Sequence, residues 1–486
     1  MEFIYAIFNG IGDATWGWAL IPFLVVIGGF FTLASGFVQL QFFGRMFRVL
    51  FPGGQLGAEG HVSSREALLV SVGGRVGGGN IAGVAVAITL GGPGAVFWMW
   101  MIALIGMATS LFECTLAQVF KRAEEEGTYR GGPAQYIIHG LGRHYNWLAI
   151  VYAISLIAAF ALGFNAFQGN TVAGAVQDSL GIGRLWTGVA LAILTGIVIY
   201  GGIKRIAHVA DVVVPIMAFG YIGMALIIIL MNIADVPGVI AMIVRNAFGF
   251  EEVIGGGVGA AVAQGLRRGL FSNEAGLGSA PNVAAVAYVR HPISQGIVQS
   301  LSVFIDTIMI CSCTAFIILL GSVYVPGAEG VDGVVLTQDS LASHIGDWSQ
   351  YFLTGAILLF AFSSIIYNYY LGENALSVFT ESPMSRHILR IAIVLLIFLG
   401  SAAPGATAVF FFSDPMMGVL ALVNLLAILM LFPVGMRVLN DYRDQLKAGI
   451  EHPVFDPAKF PDLDLDTAAW TLDEAAARRP AAQPAE

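Results

Sequence analysis

RVGGGNIAGVA, residues Arg75 to Ala85, interrupts a hydrophobic segment long enough to cross a bilayer. Gly77, Gly78 and Gly79 stand together where a continuous helix is expected, and Asn80 follows at once. An interior glycine costs a helix about 1 kcal/mol relative to alanine, so three in succession invite it to open. Opened backbone inside a membrane is tolerated only where it is buried in protein or lines a watery cavity. There its carbonyls can hold a cation and its N–H groups a carboxylate. The stretch therefore predicts a broken transmembrane helix with a solute site at the break. GGGNIAG also resembles a dinucleotide fingerprint, but that motif needs a preceding strand and a βαβ unit. Gly79 and Gly83 form a GxxxG packing pair, which leaves the other two glycines and Asn80 unexplained.

Composition places the break in context. The 486 residues are 57% hydrophobic and only 11% charged, whereas a soluble domain carries about 25% charged residues; this is an integral membrane protein. The net charge of −9 sits in acidic loops and an acidic tail, and no basic stripe suggests nucleic acid. Cys114, Cys311 and Cys313 all lie in apolar runs, so buried unpaired thiols are expected rather than a disulfide framework or CxxC metal site.

No cleavable signal is expected, because the N-terminus lacks a basic n-region and the apolar run Trp16 to Phe43 is too long for an h-region. That run reads as the first span. At about 20 apolar residues per helix, further spans fall near 64–90, 94–120, 147–173, 185–202, 208–232, 253–285, 293–321, 349–377, 387–412 and 415–438, about eleven in all. With the N-terminus outside, Lys and Arg collect in the inner segments, among them Arg45, Arg65, Lys121, Arg122, Lys204, Arg205, Arg390 and Arg437; the outer loops keep Arg184 and Arg245. The loop 322–348 carries Glu329, Asp332, Asp339 and Asp347 without Lys or Arg. The expected topology is N-out, C-in.

A second glycine-interrupted span, GGGVGAAVAQGLRRGLFSNEAGLGSAP from Gly255 to Pro281, lies five helices after the first. Five is odd, so the two broken helices must run in opposite directions. Interrupted helices at corresponding places in two halves point to an inverted-repeat transporter. The expected layout is an N-terminal helix and linker over 1–63, five-helix repeats over 64–232 and 253–438, and a polar, poorly ordered tail over 439–486. No residue-level likeness between the halves supports it; topology and the breaks do.

Several polar residues sit inside these spans. Phe271, Ser272, Asn273 and Glu274 stand between Gly269 and Gly276, where hydroxyl and amide groups can satisfy opened backbone or meet a polar solute. Arg267, Arg268 and Glu274 should be paired or face water, either as a structural ion pair involving Arg75 or Glu113 or as a gate. Asn165, Gln168 and Thr171 share a helix face. Ser364 and Asn368 are four apart, with Ser363 beside them and Glu373 beyond. A hydroxyl pair next to broken-helix carbonyls makes an oxygen cage suited to a hard cation, although isolated membrane serines often bond their own backbone at i−4. Asp306 is either a proton relay or an interhelical hydrogen-bond acceptor. The eight histidines show no metal-ligand spacing and read as solvated.

RVGGGNIAGVAVAITLGGPGAVFWMW from Arg75, GGPAQYI at Gly131–Ile137 and RRGLFSNEAGLGSAP at Arg267–Pro281 together resemble the alanine or glycine:cation symporter family, sodium:alanine symporters of the amino acid–polyamine–cation superfamily. The likeness spans roughly residues 15–440. It implies an all-α polytopic membrane protein with a leucine-transporter-like 5+5 inverted repeat, ten core helices following one extra N-terminal helix. Carried over by position, Gly77, Gly78, Gly79 and Asn80 would hold the amino acid's carboxylate and amino group. Gln168 matches the family's glutamine on the third core helix, and Phe271, Ser272 and Asn273 match the break in the sixth. By analogy with the superfamily's common sodium site, Gly73 and Val76 would give carbonyls, and Ser363 and Ser364 hydroxyls. The family commonly has threonine where this chain has Gly78 and tryptophan where it has Asn368. Both departures remove bulk from the pocket, which implies a larger or more polar substrate than alanine.

The function expected is sodium-coupled uptake of a small neutral amino acid such as alanine or glycine, by alternating access, in a bacterial inner membrane. Sodium is the coupling ion, with no organic cofactor; the partners are the amino acid and the bilayer, and a monomer is the default assembly. Proton coupling through Asp306 or Glu113, and a passive channel, are the alternatives. An enzyme is not expected: there is no HExxH and no G-x-S-x-G elbow.

Overall fold

The computed structural model describes residues 10–50, 61–124, 128–249, 257–325, 333–403 and 407–470. Gly255, Gly256, Glu329, Asp332 and the tail beyond Trp470 lie outside them. Helix α1 spans Gly10–Ala34. The first broken unit consists of α2, Ser64–Arg75, and α3, Gly79–Gly91, bent by 53° at the break. It is followed by α4 (Gly94–Val119), α5 (Arg143–Leu180), α6 (Arg184–Ile199) and α7 (Gly202–Met231). A short apolar helix, α8 (Val236–Ala247), leads to the second broken unit, α9 (Gly257–Asn273) and α10 (Ser279–Ala284). Then come α11 (Pro292–Leu319), the short α12 (Gly333–Ile345), α13 (Trp348–Leu376), α14 (Pro383–Ala402) and α15 (Thr407–Lys447).

Among the described residues, eight single helices are long and apolar enough to cross a membrane, and the α2–α3 pair makes a ninth. The apolar 16-residue α6 and the α9–α10 unit fill the remaining two places. The result is one leading helix and two groups of five crossings, each group opened by a broken helix. Large apolar side chains such as Trp186, Ile193, Phe219 and Ile391 are exposed on α6, α7 and α14, as a lipid-facing rim requires.

Local chemistry explains the boundaries. Ser63 and Glu66 cap α2 reciprocally: the Ser63 hydroxyl accepts from the Glu66 N–H at 3.2 Å, and the Glu66 carboxylate accepts from the Ser63 N–H at 2.8 Å. α3 packs beside α9, and both lie on α4; α2 lies against α7 and α13, and α5 against α13 and α14. The breaks are thus enclosed by helices on every side that these contacts describe. α5 and α11 carry widened π-type turns, Ile157–Phe164 and Phe304–Cys311, and the latter contacts both broken units; such turns concentrate at functional sites.

The structure moves three sequence boundaries. The first span ends at Ala34, because Gly36 and Phe37 take left-handed backbone (φ 69° and 56°) before an amphipathic helix, Phe43–Leu50. Ser413, Asp414 and Pro415 form no loop. α15 runs through them, as membrane helices can at proline, and Trp16 Nε1 ties α1 to this turn by donating to the Asp414 carbonyl at 2.8 Å. The second repeat's last helix continues past 438 to Lys447, and the chain then turns at Gly449 (φ 84°). Residues 450–470 pack back on the bundle, burying Phe455, Phe460 and Trp470, where a poorly ordered tail was expected. His291 is likewise no solvated residue: it is fully buried, caps α11 by accepting from the Ile293 N–H at 3.2 Å, and faces Asp441 at 3.3 Å.

Candidate functional site

At the first break the helix stops hydrogen-bonding where Val76 turns extended (φ −76°, ψ 99°), and four oxygens converge there. Ser363 Oγ lies 2.7 Å from the Gly73 carbonyl oxygen. Ser364 Oγ lies 3.3 Å from the same oxygen and 3.4 Å from that of Val76. Both hydroxyls also lie within reach of the Phe360 carbonyl of their own helix, at i−3 and i−4 (2.9 and 3.0 Å), so each can turn its one proton to its own helix or to the break. All four residues are buried. A hydroxyl proton can rotate away and turn a lone pair toward a cation, so this neutral set of two carbonyls and two hydroxyls suits a hard monovalent ion.

The N–H groups of the break face the other way. Gly77 N–H donates to Asn80 Oδ1 at 2.9 Å, and Gly78 N–H to Gln168 Oε1 on α5 at 3.3 Å. Glycine is required here by close approach: a Cβ on Gly77 would stand 2.6 Å from Ser364 Oγ and 2.8 Å from Gln168 Nε2. A Cβ on Gly78 would meet Phe167, Thr171 and Gln168 at 3.2–3.3 Å. Those side chains occupy the room that the absent threonine leaves. The Phe271 ring borders Gly79, stacked on Phe164 at 4.8 Å and edge-on to Phe167 at 5.9 Å, so an aromatic wall closes this side of the break.

Asp306, in the widened turn of α11, ties the two breaks together. Its carboxylate accepts from Asn80 Nδ2 at 2.7 Å, from Ser272 Oγ at 2.8 Å and from Thr307 Oγ1 at 2.7 Å. Asn80 thus uses both ends of its amide, one on Gly77 and one on Asp306. This is the interhelical-acceptor role weighed from the sequence. Asn273 Oδ1 accepts from the Ala275 N–H at 3.0 Å. Thr171 Oγ1 donates to the Phe167 carbonyl of its own helix, 3.0 Å away. Asn165 Nδ2 donates to the Ala161 carbonyl at 3.0 Å, and Asn165 Oδ1 accepts from Asn368 Nδ2 at 3.1 Å. Asn368 Oδ1 is buried without a hydrogen-bond partner among the described residues.

The charged residues of the second break separate. Glu274 takes a left-handed backbone (φ 55°) and its carboxylate accepts from Ser279 Oγ at 2.6 Å and Tyr367 OH at 3.3 Å. Arg75 donates to Ser302 and, at 3.3 Å, to Ser110 rather than to a carboxylate. Arg267 lies over the Trp16 ring at 5.6 Å and Arg268 over Phe271 at 5.8 Å, both in the field of Asp414. Glu373 sits at the far end of α13, 3.8 Å from Arg386 and Arg390.

Two residues with large structural roles escaped the sequence reading. Glu113 accepts from the Gly276 N–H at 3.2 Å and from Asn424 Nδ2 at 2.9 Å, while Asn424 Nδ2 also donates to the Gly276 carbonyl at 2.9 Å. The sequence offers Glu113 as an ion-pair partner or a proton-coupling residue, not as a clasp on the second break. Asn424 was visible as a lone amide in the apolar run LALVNLLAILM, a signal for an interhelical hydrogen bond.

Nine membrane-length units among the described residues, two helix breaks and the buried polar groups at them define a polytopic membrane protein with a leucine-transporter-like fold. A solved manganese transporter from Eremococcus coleocola superposes with a TM-score of 0.50 at 13% identity, over 77% of this chain and 78% of that one, a likeness of fold alone. The sequence comparisons are more specific. The model of the Sodium:alanine symporter family matches residues 1–457. The amino-acid carrier protein AlsT of Bacillus subtilis is 46% identical over 464 residues, 95% of this chain and 97% of the carrier. A second B. subtilis protein, named as the probable sodium/glutamine symporter GlnT, is 44% identical over 94% of this chain and 93% of its own length. The chain belongs to the Sodium:alanine symporter family; it is a transporter and not an enzyme.

Proposed function

We propose that this protein couples inward sodium movement to uptake of a small neutral amino acid by alternating access. The observation that carries the reading is the meeting of the Gly73 and Val76 carbonyls with the Ser363 and Ser364 hydroxyls at the first break. Sodium would sit among these four oxygens, bridging α2 to α13. The amino acid would lie beside them, against Gly77, Gly78, Gly79 and Asn80, with Gln168, Phe271, Ser272, Asn273 and Asn368 around it. Ion binding stiffens the opened backbone whose N–H groups meet the substrate, so sodium raises amino-acid affinity, and linkage requires the amino acid to tighten sodium by the same factor. The orphaned Asn368 oxygen supports a substrate that brings a hydrogen-bond donor of its own, a hydroxyl or carboxamide. The reading includes a bacterial cell membrane location, N-terminus outside and C-terminus inside, with repeats over 64–232 and 253–438.

The test is uptake into proteoliposomes under an inward sodium gradient, with choline as the substitute, comparing alanine, glycine, serine, threonine and glutamine. Accumulation that requires sodium is expected; equal accumulation in choline sinks the sodium site. Proton coupling is the second reading, supported by the buried carboxylate of Asp306 between the breaks. It is separated by Asp306→Asn: sodium-driven uptake that persists without any proton-gradient response favours sodium, and abolished proton-driven uptake favours the relay.

A further inference from the structure

Residues 450–470 cross the end of the bundle at which α4 ends and α11 begins. Their anchor is Trp470, whose ring packs 4.4 Å from the Lys121 ammonium, while Tyr129 covers the same ammonium at 4.1 Å. Lys121 is fully buried beneath these rings. Phe455 packs on Trp470 at 4.7 Å and its N–H donates to the Arg290 carbonyl at 2.9 Å. Around this aromatic centre the segment's acids meet bases on the body. Asp462 takes the fork of Arg437 at 2.6 and 2.7 Å, and Asp464 meets His139 at 2.6 Å and Arg122 at 3.0 Å. Lys459 reaches Asp441 at 2.7 Å.

These contacts are divided between the two repeats. Lys121, Arg122 and His139 belong to the first, and Arg290, Arg437 and Asp441 to the second. Beside them the entry to α2 is joined to the exit of α10, where the Tyr288 N–H donates to the Val62 carbonyl at 2.9 Å. In an inverted-repeat transporter, access from one side requires one part to rock against another. A segment fastened to both must slide or detach when this end opens. We propose that residues 450–470 are an intramolecular clamp that holds this end of the transporter closed and opposes its opening. The exposed ion pairs are individually weak and screened by salt; the buried Trp470–Lys121 contact is the part that must break.

Cys114 reports the opening without any substrate. It is buried on α4 with Ala280 and Ala284 of α10, about 10 Å along the helix from Lys121, whereas Cys313 lies about 30 Å along α11 from His291 and serves as the reference. The full-length protein in proteoliposomes is treated with a maleimide, and alkylation of each cysteine is followed by peptide mass spectrometry. Trp470→Ala is expected to raise the Cys114 rate about fivefold relative to Cys313. Arg437→Asp should raise it about twofold, and adding Asp462→Arg should restore the parent rate. A well-folded Trp470→Ala with the parent's Cys114 rate overturns the clamp, as does a charge swap that changes nothing. Should Trp470→Ala fail to fold, the charge swap decides. The readout uses neither sodium nor amino acid, so it stands or falls apart from the proposed transport reaction.

Discussion

The two broken helices hold matching places in the two repeats, yet their opened backbones are satisfied by different chemistry. The second break is stapled by groups of fixed position. Glu113 takes the Gly276 N–H, Asn424 the Gly276 carbonyl, and Tyr152 the Gly278 carbonyl at 2.7 Å. The first break is met by rotatable, neutral groups: two serine hydroxyls on its carbonyls and the Gln168 amide on the Gly78 N–H. Glu113 and Asn424 together hold both the N–H and the carbonyl of Gly276, which fixes the chain there. A hydroxyl can exchange its partner for an ion at little cost. Symmetric topology therefore carries an asymmetric division of labour: one break is built to stay, and the other to take and release a ligand. Asp306 hydrogen-bonds to both, to Asn80 at the first and Ser272 at the second.

Substitutions should reveal this division. The largest effect is expected at Glu113→Ala, which orphans the Gly276 N–H and an Asn424 donor. At about 1–3 kcal/mol for each buried unsatisfied group, detergent-solubilised protein should lose several degrees of melting temperature and much of its monodisperse yield. Ser364→Ala should leave folding near normal and raise the sodium concentration for half-maximal uptake about tenfold, equivalent to roughly 1.4 kcal/mol. If Ser364→Ala instead melted as early as Glu113→Ala, the contrast between the breaks would collapse. Gly77→Ala comes next, because its methyl group must displace Ser364 Oγ and Gln168 Nε2. Uptake should fall about fivefold in a protein that still folds, since the atoms that must move aside are side-chain ends rather than backbone. The smallest effect is expected at Gly78→Thr, where the neighbours stand at 3.2–3.3 Å. Because those side chains already fill the room beside Gly78, the uptake ratio of glutamine to alanine should shift by less than about twofold, and a larger drop would return Gly78 to the selectivity argument.

Much of this molecule was legible in one dimension. The triple glycine at Gly77–Gly79 marked the first break because no neighbour can make three glycines into good helix. The offset of five helices from one break to the other, an odd number, gave their expected opposed directions by counting alone. Ser363 and Ser364 were legible as a pair, and position matching linked them to Gly73 and Val76. Other features were not legible. The run Ser413–Pro415 read as a boundary between two spans, because local propensity cannot see the packing that carries one helix through it. Trp470 read as part of a loose tail, because its partners, Lys121 and Tyr129, are more than 300 residues away.

The sequence by itself determined the solvent, the number of crossings and where the helices must open, since each follows from hydrophobic length and local backbone cost. The tertiary structure alone decided which groups satisfy the opened backbone: Glu113 and Asn424 at one break, hydroxyls and Gln168 at the other, with Asp306 between. A buried polar atom must find a partner wherever folding brings one, and which one it finds depends on how helices far apart in sequence lie against each other.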